Sequence, residues 1–202
     1  MTAEPAETTP SHARPTGPRN ALLGWLRVGF VWVFAAALVW FAEPTPLEWG
    51  IGLGLAAIGE WIRCWSAGYL IKSKKLITGG PYQFVRNPLY LGRFFILSGV
   101  CIAAAFPPYY ANLYVLGAAL LVFFFYYIPR KEKVEPARLE RLHGEPYRAY
   151  RDAVPSLFPR LTPYGNPQGK WLWSNFTENE EYNMVVALAV FFGVVAFHAG
   201  VI

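Results

Sequence analysis

A short polar segment, residues 78–92, carries the side chains best suited to chemistry and reads TGGPYQFVRNPLYLG. Arg86 presents a planar guanidinium that suits a carboxylate or a phosphate. The amide of Asn87 both donates and accepts hydrogen bonds, and Pro88 biases this residue toward an extended conformation. Long apolar runs flank the segment, and an ionisable residue in such a setting is a functional candidate. We therefore predict that Arg86 binds an anionic group, the alternative being an interfacial arginine whose side chain extends to the lipid headgroups.

A second polar segment, residues 135–151, reads EPARLERLHGEPYRAYR and has the pattern of an amphipathic helix. Glu135, Arg138 and Leu142 are three and four residues apart, so they share one helix face. Proline is tolerated only in the first turn of a helix. Pro136 therefore predicts that the helix starts at or just after Glu135, where a carboxylate is favourable. Gly144 is expected to end this helix.

The carboxylates and tyrosines around this second segment have different expected roles. A single glutamate on a charged helix is usually solvated, and we expect this of Glu132 and Glu140. Tyr147 and Tyr150 follow the helix end and fall on one face of the next turn. We expect these two rings to cover the site.

The composition places both segments in a membrane protein. The chain of 202 residues is 54% hydrophobic and only 15% charged, whereas a soluble domain carries about a quarter charged residues. A helix needs about 20 apolar residues to cross a bilayer. Five runs qualify or nearly do: residues 22–42, 47–70, 89–106, 109–128 and 183–202. We predict an all-α, multi-pass transmembrane helical bundle of about five spans, with a cytoplasmic amphipathic helical segment.

The positive charges predict the orientation of this bundle. None of the 18 lysines and arginines falls in residues 28–62, 94–129 or 171–202. If all five helices cross the membrane, the regions that contain the lysines and arginines lie on one side of it. The positive-inside tendency makes that side cytoplasmic. The N-terminus is then cytoplasmic and the C-terminus on the opposite side, in the cell (inner) membrane if the protein is bacterial. The net charge of +5 reflects this topology and attraction to anionic membrane lipids, so we expect no nucleic-acid partner.

The same patterns divide the chain into four parts. Residues 1–20 are polar and rich in proline, cannot bury enough apolar surface to order themselves, and are predicted to form a disordered tail. Residues 21–70 form a transmembrane hairpin of spans one and two. Residues 71–163 form the core that carries both polar segments and spans three and four. Residues 164–202 comprise an interfacial segment and the last span.

Two features of the second run concern its packing. Gly50 and Gly54 are one turn apart and would let this helix approach a neighbour closely. Glu60 and Arg63 are three residues apart near its end, and we expect them to form a local ion pair.

Together the two polar segments resemble the isoprenylcysteine carboxyl methyltransferase family and its phospholipid methyltransferase relatives. The family pattern is G-P-Y-x-x-x-R-H-P-x-Y-x-G, then a spanning hairpin, then E-E-x-x-L-x-x-x-F-G-x-x-Y-x-x-Y and V-P. The match covers roughly residues 60–160, including Val-Pro at 154–155. Three positions depart from the pattern: Asn87 replaces the family's His, Pro136 replaces the second Glu, and His143 replaces Phe.

The resemblance implies an integral membrane methyltransferase that uses S-adenosylmethionine, with the cytoplasmic amphipathic segment forming the cofactor site. The acceptor is expected to be lipid-like or amphipathic, such as an isoprenylcysteine-type carboxylate, and membrane lipids are expected partners. The catalytic residues carried over are Arg86, Asn87 and Tyr90. The cofactor-binding residues carried over are Tyr82, Tyr90, Glu135, Arg138 and Tyr147. No cluster with metal-ligand spacing occurs, so no metal is expected.

Two other functions remain open at the level of sequence. Membrane sterol reductases carry a related arginine–histidine–proline segment and use NADPH, although their second motif is richer in His, Arg and Cys. A non-catalytic lipid-binding protein with the same fold is the other alternative, and the departures Asn87 and Pro136 favour it. Binding of S-adenosylmethionine, of NADPH or of neither separates the three functions.

Overall fold

The computed structural model describes residues 25, 26, 29, 33, 36–71, 75–107 and 110–201. The predicted disordered tail and most of the predicted first span lie outside the described residues. The chain divides into two units, Met1–Ala37 and Leu38–Ile202. In the first unit the few described residues are helical. All features below belong to the second unit.

The described part of the second unit is helical, and it contains no strand. A 3₁₀ turn at Gly80–Gln83 and a π-helical stretch at Phe123–Tyr127 accompany the α-helices. The α-helices are α1 (Pro46–Tyr69), α2 (Pro88–Ala103), α3 (Ala111–Val122), α4 (Ile128–His143), α5 (Glu145–Ala153), α6 (Trp173–Glu178) and α7 (Tyr182–His198). The predicted all-α class is confirmed.

Glycines bring α1 and α2 into close contact. A Cβ on Gly52 would lie 2.5 Å from the Gly99 carbonyl oxygen, and a Cβ on Gly59 would lie 2.5 Å from that of Gly92. Small residues at both ends of the contact therefore allow the backbones to approach. The predicted glycines, Gly50 and Gly54, take no part in this contact with α2. Among the described residues, neither has a neighbouring atom within 4 Å of an added Cβ.

The α3 and α4 segments form one continuous helix of 33 residues, Ala111–His143. The π-helical stretch joins them, and the Ile128 N–H donates to the Phe123 carbonyl. Pro136 lies inside α4, so the prediction that a helix begins near Glu135 is wrong. The helix that precedes this proline continues through it, at the loss of one backbone hydrogen bond. Gly144 ends α4 with a φ of 57°, as predicted.

The five predicted spans are not confirmed. Among the described residues, only the continuous helix Ala111–His143 is long and apolar enough to cross a membrane. The apolar helices α2 and α7 have 16 and 17 residues. At 1.5 Å per residue each is about 25 Å long, shorter than a hydrocarbon core of about 30 Å.

The C-terminal segment closes the end of α1. The Asn175 side chain donates to the Gly68 carbonyl at 3.0 Å, and the Asn179 side chain donates to the carbonyls of Ala67 and Leu70 at 3.1 and 3.0 Å. The last carbonyls of a helix have no partner within it, so these two amides satisfy the end of α1. Residues 166–181 thereby fix the position at which the chain leaves α1.

A buried ion pair adds to this connection. Arg63 contacts Glu181, which directly precedes α7, and its Nε lies 3.6 Å from Glu60 Oε2. All three side chains are buried. The predicted pair of Glu60 and Arg63 is present, but Glu181 from the far end of the chain is the nearer partner. The pair therefore ties α1 to α7 rather than acting only within one helix.

Replacing Gly59 by alanine is expected to destabilise the protein by about 1–3 kcal/mol, since the added Cβ would overpack the contact with Gly92. Gly54→Ala is the matched control, because it lies on the same helix with open space around it. Alanine there should stabilise by up to about 1 kcal/mol. Thermal unfolding of both variants in one detergent measures the difference. Equal melting temperatures would contradict the close contact of α1 and α2.

Candidate functional site

A cleft opens where the end of α1, the 3₁₀ turn, α4 and α5 meet. Its cavity volume is about 110 Å³, which is smaller than the roughly 300–1,000 Å³ of typical small-molecule sites. One part of its lining is apolar and the other carries charged, amide and phenol groups. The lining residues are Leu70, Ile71, Lys75, Leu76, Ile77, Tyr82, Arg86, Asn87, Glu132, Glu135, Pro136, Leu139, Tyr147 and Tyr150.

A carboxylate from α4 holds the first polar segment in this cleft. Glu132 Oε2 accepts a hydrogen bond from Arg86 Nη2 at 3.0 Å, and Oε1 accepts one from Asn87 Nδ2 at 2.8 Å. Ser156 Oγ donates to the same Oε1 at 2.6 Å and accepts from Asn87 Nδ2 at 3.0 Å. Four side chains from three parts of the chain thus form one closed network.

The backbone reinforces the same junction. The Arg86 N–H donates to the Pro155 carbonyl at 2.9 Å, and the Asn87 N–H donates to the Ser156 carbonyl at 3.0 Å. Pro88 follows and begins α2, which is a favourable place for a proline. Residues 86–87 are therefore held against residues 155–156 immediately before α2 starts.

The turn before Arg86 depends on a glycine. Gly80 has a φ of 59°, a left-handed conformation that glycine adopts at low cost. The Tyr69 ring also lies where a Cβ on Gly80 would be. The G-P-Y part of the first motif therefore shapes the wall of the cleft, and Tyr82 from this turn lines it.

Glu135 is held from two sides, one turn along α4 from Glu132. The Tyr90 hydroxyl donates to its carboxylate at 2.9 Å, and Lys131 Nζ lies 3.0 Å from Oε1. Tyr90 is buried against Phe123 and Leu157. The carboxylate of Glu135 is thus oriented by a buried phenol while it faces the cleft.

Three tyrosines form the most enclosed wall. Tyr82, Tyr147 and Tyr150 are each less than a tenth exposed, and the Tyr150 hydroxyl donates to the Tyr82 carbonyl at 2.7 Å. Burial raises the pKa of all three phenols above the usual range, so they remain protonated donors at neutral pH. The Tyr82 hydroxyl is buried, with no hydrogen-bond partner in the described part of the chain.

Residues 49–145 match the family model described as phospholipid methyltransferase. The match covers slightly less than half of the chain. It confirms the resemblance drawn from the two polar segments, and the matched family is one of methyltransferases associated with membranes. Tyr147, Tyr150 and Ser156 complete the cleft and its network from beyond the matched residues.

The chain is also similar to the cobalt-zinc-cadmium resistance protein CzcN of Cupriavidus metallidurans. The two are 29% identical over 194 residues, which cover 87% of this chain and 82% of that protein. No solved structure matches the chain. Within the described ranges, no group of three or more His, Cys, Asp or Glu residues is placed to hold a metal ion.

Most residues assigned from the phospholipid methyltransferase resemblance meet in the cleft, and two do not line it. Tyr90 lies behind Glu135 and reaches the cleft only through that carboxylate. Arg138 is exposed and lies outside the lining. The residues that do line it are Tyr82, Arg86, Asn87, Glu135 and Tyr147.

Two residues of the site were missed. The expectation that Glu132 is merely solvated is wrong, because it accepts hydrogen bonds from three side chains. Glu132 is three residues from Glu135, so the two share a helix face, and this spacing could have indicated that both belong to the site. Ser156 directly follows the Val-Pro pair of the second motif, but nothing in its type indicated a partner. Glu140 instead pairs with Arg148 and Arg151, away from the cleft.

Tyr150→Phe is expected to destabilise the protein by about 1–3 kcal/mol, because the buried Tyr82 carbonyl loses its donor. Tyr164→Phe is the control, since this ring packs on Tyr150 at 5.4 Å but its hydroxyl does not line the cleft. Thermal unfolding of the two variants beside the parent protein tests the difference. A Tyr150→Phe protein as stable as Tyr164→Phe would show that the hydrogen bond contributes nothing.

Proposed function

We propose that this protein transfers a methyl group from S-adenosylmethionine to a lipid-like or amphipathic acceptor. The observation that carries the proposal is the convergence of both family motifs on one cleft, with Arg86 and Glu135 in its lining. The family match supports the methyltransferase class. The cofactor, the acceptor and the roles of individual residues are parts of the proposal.

The lining of the cleft suits the chemistry of this cofactor. An adenosyl group needs apolar and aromatic surface, which Leu76, Ile77 and Leu139 provide together with the tyrosine wall. Ribose hydroxyls need an acceptor, and Glu135 is an oriented carboxylate in the same lining. Two buried donors without partners among the described residues, the Tyr82 hydroxyl and Arg86 Nε, would find acceptors in a polar ligand.

When bound, S-adenosylmethionine supplies an electrophilic methyl group on a sulfonium. The residues of the cleft then act by placing the two reactants and excluding water. Glu135, held by Tyr90, fixes the nucleoside side, and Arg86 fixes an anionic group. A carboxylate acceptor has a reference pKa of about 4 and is already ionised at neutral pH, so transfer to it needs no general base.

The position of the cleft favours an acceptor that comes from the membrane. The long helix Ala111–His143 is apolar in its first part and carries Glu132 and Glu135 in its last part. A helix of this length is about 50 Å long, more than a bilayer needs, so its charged end extends beyond the apolar layer. The distribution of lysine and arginine supports a cytoplasmic location for that end. We therefore place the cleft at the cytoplasmic boundary of the membrane.

Glu135→Gln is expected to weaken S-adenosylhomocysteine binding about 10- to 100-fold, because a charged acceptor contributes roughly 1.5–3 kcal/mol. Glu145→Gln is the matched control, since Glu145 is exposed and lies outside the cleft. Calorimetric titration of the purified protein in lipid nanodiscs with S-adenosylmethionine, S-adenosylhomocysteine and NADPH measures both variants and the parent protein.

The same titrations separate the competing functions. Binding of NADPH alone would move the protein to the sterol-reductase class and contradict the proposal. Binding of none of the three ligands would favour a non-catalytic, lipid-binding role. Equal affinities of the Glu135→Gln and Glu145→Gln proteins for the adenosyl ligands would leave a methyltransferase in which Glu135 does not bind the cofactor.

A further inference from the structure

The ion pair of Arg86 and Glu132 differs from the other pairs on α4 because both partners line the cleft. The side chain of Arg86 is 13% exposed and that of Glu132 is 29% exposed, so the pair is partly shielded from water. Two opposite charges lie side by side, with 3.0 Å between Nη2 and Oε2. Glu140 of α4 also pairs with arginines, Arg148 and Arg151, but it lies outside the cleft.

Both members of the pair keep unused hydrogen-bonding capacity. A guanidinium has five N–H donors, and Arg86 Nε is buried without a partner in the part of the chain that the structure describes. An ionised carboxylate has about four acceptor positions, and Glu132 uses three of them. The pair can therefore bind a ligand without breaking its own contact.

Asn87 and Ser156 hold the pair in this state. The single nitrogen of the Asn87 amide donates to both Glu132 Oε1 and Ser156 Oγ, and Ser156 donates to the same Oε1. These contacts occupy one oxygen of Glu132 and leave Oε2 to Arg86. Asn87 and Ser156 are thus positioning residues for the two charges.

A cation beside an anion is complementary to a ligand that carries both charges a few ångströms apart. We propose that the Arg86–Glu132 pair receives the zwitterionic amino-acid end of S-adenosylmethionine, with Arg86 Nε donating to the carboxylate and Glu132 Oε2 accepting from the ammonium. This subsite rests on the proposed function. It assigns Arg86 to the cofactor rather than to the acceptor, and it adds Glu132 as a binding residue.

The order of residues along α4 supports this assignment over the acceptor. Glu132 and Glu135 are three apart and both line the cleft, so they lie about one turn, or roughly 5 Å, apart along the helix. One molecule with an amino-acid end and a ribose can meet both carboxylates. A zwitterionic phospholipid head group offers the same two charges at Arg86 and Glu132, and the experiment below separates the two sources.

The test compares two adenosyl ligands that differ in the proposed group. S-adenosylhomocysteine has the amino-acid end, and 5′-methylthioadenosine lacks it. Glu132→Gln is expected to weaken S-adenosylhomocysteine binding by about 10- to 100-fold, while methylthioadenosine binding changes by less than about twofold. Glu140→Gln, which also removes an acceptor of two arginine contacts on α4, is expected to change neither. Titrations in nanodiscs of phosphatidylglycerol give the affinities of the parent protein and of both variants for the two ligands.

A second variant controls for misfolding. Ser156→Ala keeps both charges of the pair and removes one donor to Glu132. It is expected to lower the affinity for S-adenosylhomocysteine relative to methylthioadenosine, as Glu132→Gln does, but by a smaller factor. Melting temperatures of all variants are measured alongside. Misfolding would weaken the binding of both ligands. A loss of affinity confined to S-adenosylhomocysteine therefore identifies the subsite.

Each remaining outcome overturns the proposal in a distinguishable way. An unchanged ratio of the two affinities in Glu132→Gln, with parental binding intact, would overturn the subsite and leave the methyltransferase proposal standing. An unchanged ratio with weaker binding of short-chain phosphatidylethanolamine would assign the pair to a phospholipid head group. A parent protein that binds neither adenosyl ligand would overturn the subsite and the proposed function together.

Discussion

The Glu132 carboxylate is the constraint on which the arrangement of the cleft depends. Arg86, Asn87 and Ser156 all donate to it, so a single side chain holds together α4, the start of α2 and the segment after α5. Burying a charge is costly unless it is paired and hydrogen-bonded, and this network pairs the Arg86 guanidinium with a carboxylate at the edge of an apolar bundle. The backbone hydrogen bonds from Arg86 and Asn87 to residues 155–156 and the hydrogen bond from Tyr90 to Glu135 reinforce this connection.

Apolar packing supplies the frame in which this network forms. The glycine contacts between α1 and α2 set the distance between the helices that end and begin at the cleft. At the other end of α2, Ala103 and Ala104 pack with Phe192 and Val195 of α7. This apolar cluster lies at the C-terminal end of α2 and the polar site at its N-terminal end, about 24 Å apart along a helix of 16 residues.

The continuous helix from α3 to α4 connects the apolar and polar regions. Its first part is apolar, and its last part carries the carboxylates of the cleft. The π-helical stretch at Phe123–Tyr127 lies where the character changes, and such stretches are frequent near functional sites. The helix continues through Pro136, although proline donates no backbone hydrogen bond there. The rule that proline occurs only in the first turn of a helix therefore did not hold at Pro136, which lies inside α4.

The sequence alone determined the all-helical class, the family resemblance, the helix end at Gly144 and the chemical candidates Arg86 and Glu135. Each of these follows from composition, helical spacing or a residue type that acts on its immediate neighbours. Tertiary structure alone decided that Glu132 and Ser156 join Asn87, that Gly52 and Gly59 rather than Gly50 and Gly54 contact α2, and that Arg63 reaches Glu181. The partners of Asn87 lie 45 and 69 residues away, and the pattern of one segment carries no information about which distant segment will pack against it. Hydrogen-bond partners across such separations are set by the three-dimensional packing of the helices, which local sequence periodicity does not specify.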